Sequence, residues 1–103
     1  MTKTLRSAAR RPTHPGAVLL EDTLPALGFS QARLAELLGV GRITVSQLLH
    51  GHRSLTPDMA VRLEKLLGAS AESWLRMQAA VDLWDTRQVP ERFASIARLR
   101  EAA

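Results

Sequence analysis

The chain has 103 residues, 46% apolar and 23% charged, which fits one small soluble domain. No apolar run approaches the roughly 18 residues needed to span a bilayer. The opening MTKTLRSAARRPTHPG has no apolar stretch of the kind a secretory signal needs. With no cysteine there is no disulfide framework, no cysteine-based zinc site and no thiol nucleophile, and a reducing cytoplasm is the expected location. The net charge of +4 sits entirely in residues 1–11, on Lys3, Arg6, Arg10 and Arg11. The chain is therefore read as a basic flexible leader (1–11), a neutral folded domain (12–87) and a tail (88–103).

The body reads as helices throughout, with no alternating run between turn signals that would argue for a sheet. Helix 1 is expected to start near Pro15, a residue pre-organised for the first helical position. Leu20, Leu24 and Leu27 would form its buried face. Pro25 should tighten or kink its last turn, and Gly28 should stop it. Helix 2 should be capped by Ser30, with Phe29 and Leu34 spaced as a hydrophobic staple, and should run to Gly39. Helix 3 is expected from about Arg42 to His50, with Gly51 ending it. Thr56, Pro57 and Asp58 then cap, start and charge-match helix 4, which runs to Leu67 and Gly68. Ser70 caps helix 5, expected to reach about Arg87. Beyond Pro90, the spacing of Phe93, Ile96, Ala97 and Arg100 predicts a short amphipathic helical tail.

Helices 2 and 3 are short and joined through Gly39-Val40-Gly41, the arrangement of a helix-turn-helix. Ala35 falls where two helices must approach closely, while Val40, Val45 and Leu48 are placed to fill the wedge between them. At about 100° per residue with Val45 at zero, Leu48 lies at about 300° and Leu49 at about 40°, so the buried stripe centres on Val45. Gln47 at about 200°, Ile43 at about 160°, His50 at about 140° and Ser46 at about 100° then face outward, with Thr44 on the edge at about 260°. This outward face carries groups that read base edges. Gln47 can pair with adenine, Ser46 and Thr44 can donate or accept, and Ile43 suits a thymine methyl. Arg42 can reach guanine or phosphate. Gln31 opens helix 2, where the helix N-terminus favours phosphate, and Arg53 is a second phosphate candidate.

The segment SQARLAELLGVGRITVSQLLHG (30–51) resembles the helix-turn-helix of the Cro/C1-type (XRE) repressors. The segments RPTHPGAVLLEDTL (11–24), LTPDMAVRLEKLLGAS (55–70) and SWLRMQAAVDLW (73–84) resemble one branch of that superfamily, the HigA-type antitoxins. The resemblance implies a five-helix, lambda-repressor-like DNA-binding domain acting as a homodimer on a palindromic operator in the major groove. It further implies neutralisation of a HigB-type toxin, a RelE-like messenger-RNA endonuclease, and autorepression of the operon. The recognition positions carried over are Arg42, Thr44, Ser46 and Gln47, with Gln31 at the start of helix 2. Gly41 stands where the branch usually has a serine cap, and Ala17 where an acid is common.

Trp74, Met77, Val81 and Trp84 form a stripe on helix 5, expected to be partly core and partly a dimer interface, where tryptophan is enriched. His50 and His52 make weak metal ligands without a supporting cluster, so no metal and no cofactor are expected. His14 reads as a structural residue of the first helix. No phosphate loop, H-E-x-x-H or serine elbow is present, so an enzyme is not expected. Two other functions fit the same residues: a free-standing XRE-type regulator without a toxin, and a protein-binding module in which the helix-turn-helix is a relic.

Overall fold

Four of the five helices start on a side chain that accepts an otherwise unpaired backbone N–H. The computed structural model describes residues 10–99. In it His14 Nδ1 accepts from the Gly16 N–H at 2.9 Å, and Ser30 Oγ from the Arg33 N–H at 3.0 Å. Thr56 Oγ1 accepts from the Met59 N–H at 3.2 Å, and Ser70 Oγ from the Ser73 N–H at 3.1 Å. The helices are α1 (residues 15–27), α2 (Gln31–Leu38), α3 (Arg42–Leu49), α4 (Pro57–Leu67) and α5 (Ala71–Arg87). Helix α3 starts at Gly41 without a side-chain cap and forms nonetheless. Left-handed Gly28 (φ 68°) and Gly39 (φ 71°) close α1 and α2. Among the described residues there is no strand, and the all-α, five-helix expectation holds.

Helix α1 departs from its expected register. Its first turn (Pro15–Val18) and last turn (Leu24–Leu27) are α-helical, but Leu19–Thr23 between them is a π turn. A π turn holds one residue more than an α turn, so inward positions five apart align. Leu19 and Leu24 are the buried pair, Leu20 is half-buried, and Leu27 is 47% exposed. The predicted stripe of Leu20, Leu24 and Leu27 is thus corrected at two positions. Pro25 follows the widened turn directly. It has no N–H to offer the Glu21 carbonyl and its ring crowds that carbonyl, which disfavours a regular α ladder there.

The core gathers one stripe from each helix. Leu19 and Leu24 of α1 meet Leu34, Ala35 and Leu38 of α2, together with Val45, Leu48 and Leu49 of α3. Met59, Ala60 and Leu63 of α4, Leu55 before it and Trp74 of α5 complete the cluster. Helix α2 packs on α3 and α4, α4 on α5, and the first turn of α1 on both α3 and α5. Polar ties fix the helix ends. Arg62 on α4 donates from Nη1 to the Leu38 carbonyl at 2.8 Å, satisfying the negative end of α2, and pairs through Nε with Asp58 Oδ2 at 2.7 Å. Glu64 accepts from the Ala71 N–H at 3.0 Å at the start of α5. Among the described residues, Trp74 Nε1 is the buried side-chain donor without an acceptor.

The chain beyond α5 forms a single 3-10 turn, Pro90–Phe93, in place of the expected amphipathic helix. Phe93, Ile96 and Leu99 are exposed, with no apolar surface beneath them to fix a helical stripe. Lys3 and Arg6 of the leader, and Arg100 of the tail, lie outside the described residues.

Gly16 sets the closest backbone approach. A Cβ built on it would lie 1.8 Å from the Leu48 carbonyl oxygen and 2.8 Å from its carbon. Both are backbone atoms near the end of α3, so no rotamer change relieves the clash. Gly16→Ala should destabilise the domain by about 3 kcal/mol or more, the upper end of overpacking costs. That corresponds to a fall in Tm of roughly 12 °C or more for a domain of this size. A thermal melt shifted by less than about 3 °C would show that the α1–α3 spacing is set elsewhere.

Candidate nucleic-acid interface

The orientation of α3 follows from its buried side. Val45, Leu48 and Leu49 are all at most 2% exposed, as the wheel predicts. The opposite face is open. Ile43 is 73% exposed, an aliphatic side chain left open on the surface of the described residues, and Arg42 and His50 are exposed beside it. Thr44, Ser46 and Gln47 are half-buried, and so is Gln31 at the first position of α2. The structure therefore brings Arg42, Ile43, Ser46, Gln47 and His50 onto one outward-facing side of α3, with Thr44 at its margin.

Two of these side chains are held. His50 Nδ1 lies 2.8 Å from the Ser46 carbonyl oxygen, which folds the ring back over the helix end. Gln47 Oε1 accepts two hydrogen bonds from Arg53, from Nε at 3.1 Å and from Nη2 at 2.9 Å. Sequence reasoning placed Arg53 as a phosphate contact and did not foresee this pair.

The loop from Gly51 to Leu55 lies against two buried polar residues, one at the cap of α1 and one on α5. These are the two buried polar side chains among the described residues, His14 and Gln78. Gln78 Oε1 accepts the Leu55 N–H at 2.8 Å and Gln78 Nε2 donates to Asp82 Oδ1 at 2.9 Å. His14 accepts at Nδ1 from the Gly16 N–H at 2.9 Å, and its ring lies beside Gly51, where a Cβ would sit 3.9 Å from ring carbons. In front of this pair, Arg11 holds both carboxylate oxygens of Asp85 on α5, through Nε at 2.8 Å and Nη2 at 2.9 Å. The pairing holds the Asp85 carboxyl below its ordinary range.

Of the residues expected at a dimer contact, Trp74 and Val81 are 5% and 1% exposed and lie inside the monomer. They leave no surface for a second copy, because α5 turns that side of its stripe onto the rest of the fold. Met77 packs against the core and is half-buried; Trp84 is half-buried beside Leu83, which is 51% exposed. No group of three or more His, Asp or Glu poised to hold a metal ion occurs among the described residues.

Comparison with known proteins places these features in a wider set. The helix-turn-helix family profile matches residues 24–74. The chain is 39% identical over 99 residues to the uncharacterized HTH-type transcriptional regulator YbaQ of Escherichia coli, covering 96% of this chain and 88% of that one. It is 45% identical over 83 residues to antitoxin HigA-1 of Vibrio cholerae, covering 81% of this chain and 78% of that one. Antitoxin GraA, solved in complex with its operator, superposes with a TM-score of 0.80 at 40% identity, over 87% of this chain and 93% of that one.

The buried imidazole generates a pH dependence. Burial pushes the His14 pKa down and the nearby Arg11 charge adds to the shift; the Arg53 backbone and the charges of Asp82 and Asp85 oppose it without cancelling it. The folded state thus holds His14 neutral at a pH where the unfolded chain, near its ordinary value of about 6.5, already binds a proton. Stability is complete above that pH and falls as the pH drops from about 6.5 toward the folded-state value. Protonation also removes the Nδ1 acceptor that caps α1. Thermal melts should show Tm falling across this window in the wild type. His14→Asn can still accept the Gly16 N–H and should lose that slope. An unchanged slope would assign it to another group.

Proposed function

This chain belongs to the Cro/C1-type helix-turn-helix family, in the branch of the HigA-type antitoxins, and from that membership we propose that it is a sequence-specific operator-binding repressor and the antitoxin of a toxin–antitoxin pair. The observation that carries the reading is the exposed face of α3, where Arg42, Ile43, Ser46 and Gln47 stand outward on a helix whose other face is locked in the core. An aliphatic side chain as open as Ile43 has a natural partner in a thymine methyl, and the polar groups around it suit base edges. In this reading Arg42 and the start of α2 at Gln31 would meet phosphate.

A two-fold dimer would set two such helices about 34 Å apart, one turn of DNA, and would bind a palindrome. Trp84 and Met77, with the exposed Leu83 next to them, are the residues of α5 left to serve a dimer contact. The toxin is proposed to be a small HigB-type endonuclease of messenger RNA. The support for it is the likeness to proteins named as antitoxins. A second reading is a free-standing regulator without a toxin; the match over nearly the whole chain to YbaQ, named only as an uncharacterized transcriptional regulator, is compatible with it.

Mobility-shift titrations with the DNA upstream of its own operon, at physiological salt and against scrambled competitor, test the repressor. Nanomolar binding that resists competitor is expected. Gln47→Ala should weaken it by about 1–3 kcal/mol and relax preference at one base position. Binding confined to the weak, competitor-sensitive range would remove autorepression by the free protein.

The toxin half is tested by expressing the neighbouring gene product with and without this chain. Growth arrest reversed by co-expression is expected. A neighbour that does not arrest growth, or an arrest that co-expression leaves in place, would favour the free-standing regulator.

A further inference from the structure

The Gln47–Arg53 pair changes what the recognition helix can read. An amide oxygen has two lone pairs, and Arg53 fills both, from Nε and from Nη2. Arginine has donors only, so the amide cannot be turned the other way round. Gln47 therefore shows the outside nothing but its NH2 group. Adenine needs both an acceptor and a donor from glutamine, whereas guanine offers two acceptors, O6 and N7, on the same edge.

The hold is built in. Arg53 sits in the loop whose Leu55 N–H is tied to Gln78 Oε1 at 2.8 Å and whose Gly51 end lies against the His14 ring. The two turns after α3 are also fixed, by the bonds from the Gly51 N–H to the Leu48 carbonyl at 3.1 Å and from the His52 N–H to the Gln47 carbonyl at 2.8 Å. The guanidinium is thus presented to Gln47 by an anchored segment.

We propose that Arg53 is a positioning residue that saturates the Gln47 amide oxygen and makes Gln47 a donor-only reader, directing it to guanine in place of the adenine expected of a free glutamine. The inference rests on the operator-binding function proposed above. Two of the five Arg53 donors are used in the pair, which leaves the rest for a phosphate.

Selection from random DNA, followed by titration of the selected site with each base at the position whose preference Gln47→Ala abolishes, tests it. The wild type should prefer guanine to adenine there by about fivefold to 150-fold. Arg53→Ala frees the oxygen and should move the ratio toward adenine by about fivefold or more. Arg53→Lys keeps the attraction to phosphate but cannot fork onto one oxygen, so it should retain the salt dependence of binding and still lose the guanine preference. A wild-type preference for adenine, or Arg53 variants that weaken all four bases equally, would overturn the inference.

A measurement without DNA separates this from the function itself. In the free protein the Arg53 Nε–H resonance should shift in Gln47→Ala, and an unmoved signal overturns the pair whatever the DNA shows. If the wild type enriches no motif, the operator-binding function falls and the base preference with it, while a shifted Arg53 signal would show that the pair itself stands.

Discussion

The place where the first turn of α1 meets the end of α3 governs the rest of the molecule. Gly16 lies against the Leu48 carbonyl with no room for a single carbon between them. The three residues His14-Pro15-Gly16 each serve that contact. His14 caps the helix, Pro15 presets its first φ, and Gly16 admits the other backbone. Once α1 is seated there, α3 can present only one face outward, and the hydrophobic wedge of Val45, Leu48 and Leu49 completes what the backbone contact begins.

A second layer of order is polar. Burying His14 and Gln78 would be costly if either lacked partners. Gln78 accepts the Leu55 N–H of the loop after α3 and donates to Asp82, while His14 accepts the Gly16 N–H and lays its ring beside Gly51. Arg11 and Asp85 close the arrangement from outside; as a half-exposed ion pair they add little stability and chiefly align the N-terminal segment with α5.

Much of this was legible beforehand. Ser30, Thr56 and Ser70 announced helix starts because capping is a local event, and the glycines at 28 and 39 announced stops for the same reason. The buried stripe of α3 followed from helical period alone. The errors have physical causes. Wheel arithmetic assumes a constant turn, so it missed the π turn that brings Leu19 rather than Leu20 inward. On α5 the chosen stripe took Met77, whereas Trp74, Gln78 and Val81, at i, i+4 and i+7, are the buried set. A hydrophobic filter passes over a glutamine, though its position between two buried residues was the available signal. The Arg11–Asp85 pair spans 74 residues and has no local trace. The tail had a helical pattern but no surface to lie on.

The division of labour within α3 has a consequence for how such a protein can change. One side of the helix, with the Leu48 carbonyl, does all the holding, and the other side meets the outside world. Ile43 and Arg42 are exposed and lie outside the core cluster that seats the helix. On the proposed DNA-reading role of this face, their replacement alters vocabulary without altering posture. A lineage built on this plan can drift to a new binding address one letter at a time while the scaffold goes on delivering the helix at the same angle. The anchored Gln47–Arg53 pair is the exception, since there a change of letter requires the loop to agree.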